Sequence, residues 1–184
     1  MKTWKIISET DVSPSPWFPI QKHTIELPNG TLIDDYYITT LGNVAMVLPI
    51  TTDNEIVMVK QYKHGIKEVV IELPAGFQQN GKSIEDSALA ELEEETGIKT
   101  SLDKLIPIGK IANVPTKSSQ ISFGFLATGV TFNSTQNLDI NEDIEIIKRT
   151  PTETLKMIQN GEIWVADTVA FIMKAYLMFP ELFK

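Results

Sequence analysis

Glu91, Glu93, Glu94 and Glu95 crowd into five consecutive positions, and no basic residue stands between Lys82 and Lys99. The flanking residues read as a helix. Ser83 suits the N-cap, with Asp86 three residues on to close a capping box, and Glu85 and Asp86 suit the positive end of the dipole. Gly97 can adopt the left-handed conformation that ends a helix. The glutamates then lie at the wrong end. Each like-charged pair at helical neighbour spacing costs a few tenths of a kcal/mol, and the negative end of the dipole costs about as much again. At about 100° per residue, Glu91, Glu94 and Glu95 share one arc, Glu93 points elsewhere, and Ala88, Leu89 and Leu92 form the adjoining apolar stripe. A hard divalent cation, Mg²⁺ or Mn²⁺, turns such repulsion into ligation, because these ions take oxygen ligands and keep positions for phosphate oxygens and water. The plain alternative is a solvated acidic helix face.

The elements that must position this turn can be read from the apolar pattern. Glu68 to Leu73 is a strand, Pro74-Ala75-Gly76 bends the chain, Gly76 lets the backbone come close to a bound group, and residues 78–81 form a loop before the helix. Upstream, Val44 to Ile50 and Ile56 to Val59 read as a buried hairpin about Thr52-Asp53-Asn54, leading into Gln61-Tyr62-Lys63. Downstream, Leu105 to Ile111 and Ile121 to Ala127 read as strands joined by residues 112–119. An acidic loop, 137–145, precedes a short strand at Ile144 to Ile147. Thr150-Pro151 opens a helix that Gly161 closes, and Asp167 is expected to cap a last apolar helix, Thr168 to Met178, stopped by Pro180. Residues 1 to about 40 form a small β region, with a strand at Trp4 to Ile7, a loop from Asp11 to Pro19, and Asn29-Gly30 turning a hairpin. Trp17 and Phe18 either stack on a base or anchor their loop. Strands alternating with helices predict an α/β fold, an α/β/α sandwich around a mixed sheet, in which the last helix and the acidic helix cover the two faces.

The whole chain narrows the function. At 184 residues it suits a single domain with a real core, and the net charge of -8 argues against nucleic acid and anionic membrane as partners. With no cysteine there is no disulfide, thiolate zinc site or cysteine nucleophile. No run has signal-peptide or membrane-spanning character, so the cytoplasm is the expected location. His23 and His64 are too few and too far apart in sequence to suggest a histidine metal site.

Residues 76–98 resemble the Nudix box: Gly76, Glu91, Leu92, Glu94, Glu95, Gly97 and Ile98 match its pattern at the right spacing. Glu72-Leu73-Pro74-Ala75 is similar to the segment that precedes the box in the ADP-ribose pyrophosphatase branch, and Gln61-Tyr62-Lys63 is similar to that branch's Gln-Tyr-Arg. Two positions depart from the box: Lys82 stands where it has glutamate and Ala90 where it has arginine. An acid and a base are thus lost together. The resemblance implies a Nudix-type sandwich at 41–184 and an N-terminal β region at 1–40 that serves dimerisation. It implies Mg²⁺ or Mn²⁺ held by Glu91, Glu94, Glu95 and the Ala75 carbonyl. It further implies catalysis by Glu94 and by Glu142 on the acidic loop, with Asp143 and Glu145 as rivals, and substrate contacts at Lys63, Gly76 and Pro115. The implied reaction is hydrolysis of a nucleoside diphosphate sugar, ADP-ribose to AMP and ribose 5-phosphate first among them. A GDP- or UDP-sugar, or a non-hydrolytic nucleotide-binding module, are the alternatives.

Overall fold

The N-terminal chain forms three antiparallel strands, β1 (Lys5–Asp11), β2 (Ile20–Glu26) and β3 (Leu32–Thr39), in the computed structural model, which describes all residues from Met1 to Lys184. Asn29-Gly30 turns β2 into β3 as expected, with Gly30 at φ +86° and its N–H donating to the Leu27 carbonyl. β1 runs past its apolar start to Asp11, because the polar residues from Ser8 onward pair with β2 through their backbone. Residues 112–121 join this unit rather than merely linking two strands. Thr39 bridges Ser118 in parallel, the Tyr36 hydroxyl donates to the Thr116 carbonyl (2.6 Å), and the Lys117 ammonium lies 4.7 Å from the Tyr36 ring centroid.

Residues 43–111 and 122–184 form the second unit. Its elements are β4 (Val44–Thr51), β5 (Ile56–Lys63), β6 (Glu68–Glu72), β7 (Ala75–Phe77), α1 (Ile84–Thr96), β8 (Leu105–Ile111), β9 (Ser122–Val130), β10 (Ile144–Arg149), α2 (Pro151–Gln159) and α3 (Ala166–Met178). The sheet runs β10-β5-β4-β9-β8, with β4 parallel to β9 and the other pairs antiparallel.

The hairpin expected of β4 and β5 splays open: only Ile50 and Ile56 pair. β6 fills the gap along β5, from Val59 opposite Glu72 to Lys63 opposite Glu68, and β7 pairs with the start of β4, Val44 to Met46. The chain changes partners at Pro74, which has no N–H for a ladder and whose carbonyl accepts from Val47 N–H (3.0 Å). The bend therefore sits in the split between two strands of the sheet.

Alternate residues of β4 go to opposite faces, as period two requires. Met46, Leu48 and Ile50 join Ile56, Met58, Leu126, Met157, Phe171 and Ile172 on the face covered by α2 and α3. Ala45 and Val47 join Val57, Phe125, Ala88 and Leu92 on the face covered by α1. The α/β/α sandwich expected from the sequence is the fold. Asp167 is not the cap of the last helix. The helix starts two residues earlier than expected, at Ala166, with Val165 as an N-cap that makes no side-chain bond, and Asp167 lies in the first turn, where its charge still suits the dipole. No helix is long and apolar enough to cross a membrane.

Candidate active site

The acidic helix begins and ends as its residues dictate. The Ser83 hydroxyl oxygen accepts from Asp86 N–H (3.0 Å) and its proton goes to the Asp86 carboxylate (2.6 Å). The Asp86 carboxylate takes that hydroxyl instead of the Ser83 N–H, so the expected box is only half made. Thr150 and Glu153, with the longer acid, complete both halves at α2. At the other end Gly97 adopts φ +71° and donates to the Glu93 carbonyl (2.8 Å).

Between these caps the helical step sorts the glutamates. Ala88 and Leu92 are fully buried against the sheet, and Glu93 turns away to Lys99 (3.2 Å) and the Ser134 hydroxyl (2.9 Å). Glu91, Glu94 and Glu95 face one cavity of about 580 Å³, which Lys63, Ala75, Gly76 and Glu142 also line. That volume lies within the range of small-molecule sites. Glu95 is only 3 % exposed, and the Ala75 N–H donates to its carboxylate (2.9 Å). Gly76 lies against the Glu91 carboxylate so closely that a Cβ there would collide with it. Lys63 reaches the cavity but is held by Glu72 at 2.9 Å, so part of its charge is already matched.

Of the acidic loop's candidates, Glu142 alone lines the cavity. Glu145 points to Lys60 (3.4 Å), and Asp143 is not on the lining. A turn holds Glu142: its N–H donates to the Asp139 carbonyl and the Asp139 N–H to its carboxylate, each at 2.9 Å. Pro115 lies in the first unit and is not on the lining. Trp17 is 89 % exposed. The cavity also carries residues that the sequence reading did not single out, Asp139 and the amides Gln61, Gln78, Gln79, Asn80 and Asn137. Asp139 stood in the acidic run with no periodicity to pick it out, and amides leave no charge pattern.

Five carboxylates and one ammonium give this cavity a strongly negative field. Burial, then the neighbouring Glu94 and Glu142, push the Glu91 carboxyl up to about 7, against a hydrogen bond from Gln79. Burial also pushes Glu95 up to about 8, opposed by the Ala75 N–H and, more weakly, by Lys63. Burial first, and the crowding of acids second, thus favour the protonated form of both groups in the chain alone. The donors are all oxygen, the chemistry a hard divalent cation takes, and the glycine cradle at Gly76 leaves room for the Glu91 carboxylate beside the bend. No three acidic side chains close to coordinating distance about one point in the protein alone. The two departures also have places: Lys82 is exposed in the turn before α1, and Ala90 borders a second cavity of about 410 Å³ on the far side of Glu94.

Two family models match the chain, the nucleoside diphosphate sugar hydrolase N-terminal domain over residues 4–39 and the NUDIX domain over 40–169. The chain is 31% identical to an ADP-ribose pyrophosphatase of Bacillus subtilis, over 96% of this chain and 94% of that one. It is 33% identical to a methanol dehydrogenase activator of Bacillus methanolicus, over 90% and 87%. A crystal structure of an ADP compounds hydrolase, 18% identical, superposes with a TM-score of 0.85 over 98% of this chain and 96% of that one, which shows the shared fold.

Proposed function

The chain belongs to the Nudix family of pyrophosphohydrolases, and on that premise we propose that it hydrolyses the diphosphate of ADP-ribose or a close ADP-sugar. The observation that carries this reading is the single cavity in which the bend at Ala75-Gly76, three helix carboxylates and Glu142 come together. Glu91, Glu94, Glu95 and the Ala75 carbonyl would hold Mg²⁺ or Mn²⁺. When bound, such ions neutralise phosphate charge and polarise the attacked phosphorus.

The chain's own groups do the rest. Lys63 faces a phosphate oxygen from the strand end, and the glycine at 76 lets the diphosphate approach the backbone. Glu142 takes the proton from water as its oxygen bonds to one phosphorus, while Glu94 helps to hold that water. The bond from that phosphorus to the bridging oxygen breaks, the oxygen leaves on the other phosphate, and the products are AMP and ribose 5-phosphate.

Glu95→Gln, beside wild type, tests the proposal against a panel of ADP-ribose, GDP-sugars and UDP-sugars with Mg²⁺ and with Mn²⁺. The expected result is AMP released from ADP-ribose and a loss of at least about 100-fold in turnover in the variant. Tight binding without product would favour the non-hydrolytic module that Lys82 and Ala90 suggest, and turnover confined to another sugar would move the substrate. For the first unit we propose association of two copies, supported by a β1 exposed along its whole length. Cytoplasmic location completes the reading.

A further inference from the structure

Residues 131–143 pass from β9 to β10 with no strand or helix of their own, yet their first half is fastened to the last turn of α1. A helix leaves its final carbonyls without partners inside the helix, and α1 has no basic residue in its last turn to satisfy them. The loop supplies the donors. Asn133 and Ser134 N–H groups donate to the Gly97 carbonyl (3.2 and 2.9 Å), and Asn137 N–H to the Glu94 carbonyl (2.9 Å). The Glu95 carbonyl receives a side-chain donor, the Gln136 amide, at 2.7 Å. The same amide nitrogen stands 3.5 Å from the carbonyl of Ile144, where β10 begins.

The backbone of Glu94 and Glu95 therefore anchors the loop on one side of the helix while their carboxylates face the cavity. Immediately after the anchor the chain enters the turn in which Asp139 holds Glu142. We propose that Gln136 is a positioning residue for Glu142: its amide ties the loop to the Glu95 backbone and fixes the distance between the carboxylate of the loop and those of the helix. The reading rests on the role of Glu142 given above. It also accounts for a short side chain at position 90, since a long one would occupy the second cavity, which Gln136 and Asn137 line with Ala90.

The test combines kinetics with amide exchange on the full chain. Gln136→Ala is expected to lower kcat about 10-fold with KM changed less than about twofold, a part of what a general base contributes. Gln136→Glu keeps the shape, turns an acceptor toward the Glu95 carbonyl, and should lose at least as much. Glu142→Gln alone should lose about 100-fold, and adding Gln136→Ala to it should cost less than a further twofold, because the two act through one group. Without substrate or metal, the Asn137 amide should exchange at least about 10-fold faster in Gln136→Ala than in wild type. Multiplicative effects of the two changes, or an Asn137 amide equally protected in both proteins, would overturn the proposal. The exchange measurement needs no turnover, so an unexpected substrate and a failed anchor are told apart.

Discussion

Glu95 carries a carboxyl into nearly complete burial, and the site's pH behaviour follows from that residue more than from any other. In the folded chain Glu91 and Glu95 hold their protons up to about 7 and about 8, whereas the unfolded chain releases them near the ordinary 4.5. Glu72, also raised by burial, acts in the same sense. Between pH 4.5 and 8 the folded state therefore binds more protons, and stability from these groups is full below 4.5 and lost as pH rises through 7 to 8. Glu93 and Asp11 are shifted down and act only at lower pH. Metal-free protein should melt at a lower temperature at pH 8.5 than at pH 6. Glu95→Gln, whose amide oxygen can still accept from Ala75, should flatten that dependence and gain about 1–2 kcal/mol at pH 8.5, roughly 2–8 °C. Mg²⁺ should raise the wild-type midpoint at pH 8.5 and move the variant's far less. Differential scanning calorimetry decides it, and a metal-free wild type that melts higher at pH 8.5 than at pH 6 would contradict the argument. At this scale the arc of Glu91, Glu94 and Glu95 was legible because a helix turns by a fixed angle. The Lys63–Glu72 pair and the Gln79 bond to Glu91 were not, because strand register and loop path are set by tertiary contacts.

The elements were easier to find than their neighbours. Apolar runs mark β4 and β5, but a strand buried on both faces does not say which strand lies beside it, so the expected hairpin proved to be a fork that holds β6 and β7. The last helix shows a similar limit: Asp167 is a good cap by type, but the helix begins before it. Where cap chemistry and structure agree, the consequences are quantitative. Thr150→Ala removes the hydroxyl half of the α2 box, outside the cavity lining, leaves the backbone N–H on Glu153, and should cost about 1 kcal/mol, or roughly 2–4 °C, with kcat unchanged. Gly97→Ala should cost more and also slow turnover. It forces φ +71° on a residue with a Cβ, worth about 1–2 kcal/mol, and that Cβ would stand 2.8 Å from the Ser134 carbonyl oxygen, pushing on the loop that carries Glu142. Urea unfolding beside steady-state kinetics separates the two: equal kcat in the two variants would show that the loop does not depend on the helix end.

For the whole molecule, the sequence marks residues 1 to about 40 as a region of their own, and the structure adds 112–121 to it, a partnership between distant segments that no local pattern announces. The three-stranded sheet leaves its first strand exposed throughout, with Trp4 and Ile6 each 51% and Ile7 48% accessible. Three large apolar side chains within four residues, two on an edge strand and one just before it, make a costly surface for a free monomer, because edges and apolar patches both invite pairing. The net charge of -8 opposes association of two chains, so the contact must bury enough apolar area to outweigh that repulsion, about 800 Å² per partner in a stable dimer. Light scattering at micromolar concentration should therefore give about twice the 20.6 kDa chain mass. Adding salt should leave that mass unchanged or favour it, since screening weakens the repulsion and not the apolar contact. Ile6→Lys with Trp4→Ser should return the mass to one chain, with far-ultraviolet circular dichroism unaltered because neither side chain is buried in its own unit. A wild-type mass of one chain across this range would leave the exposed strand without a partner in its own kind.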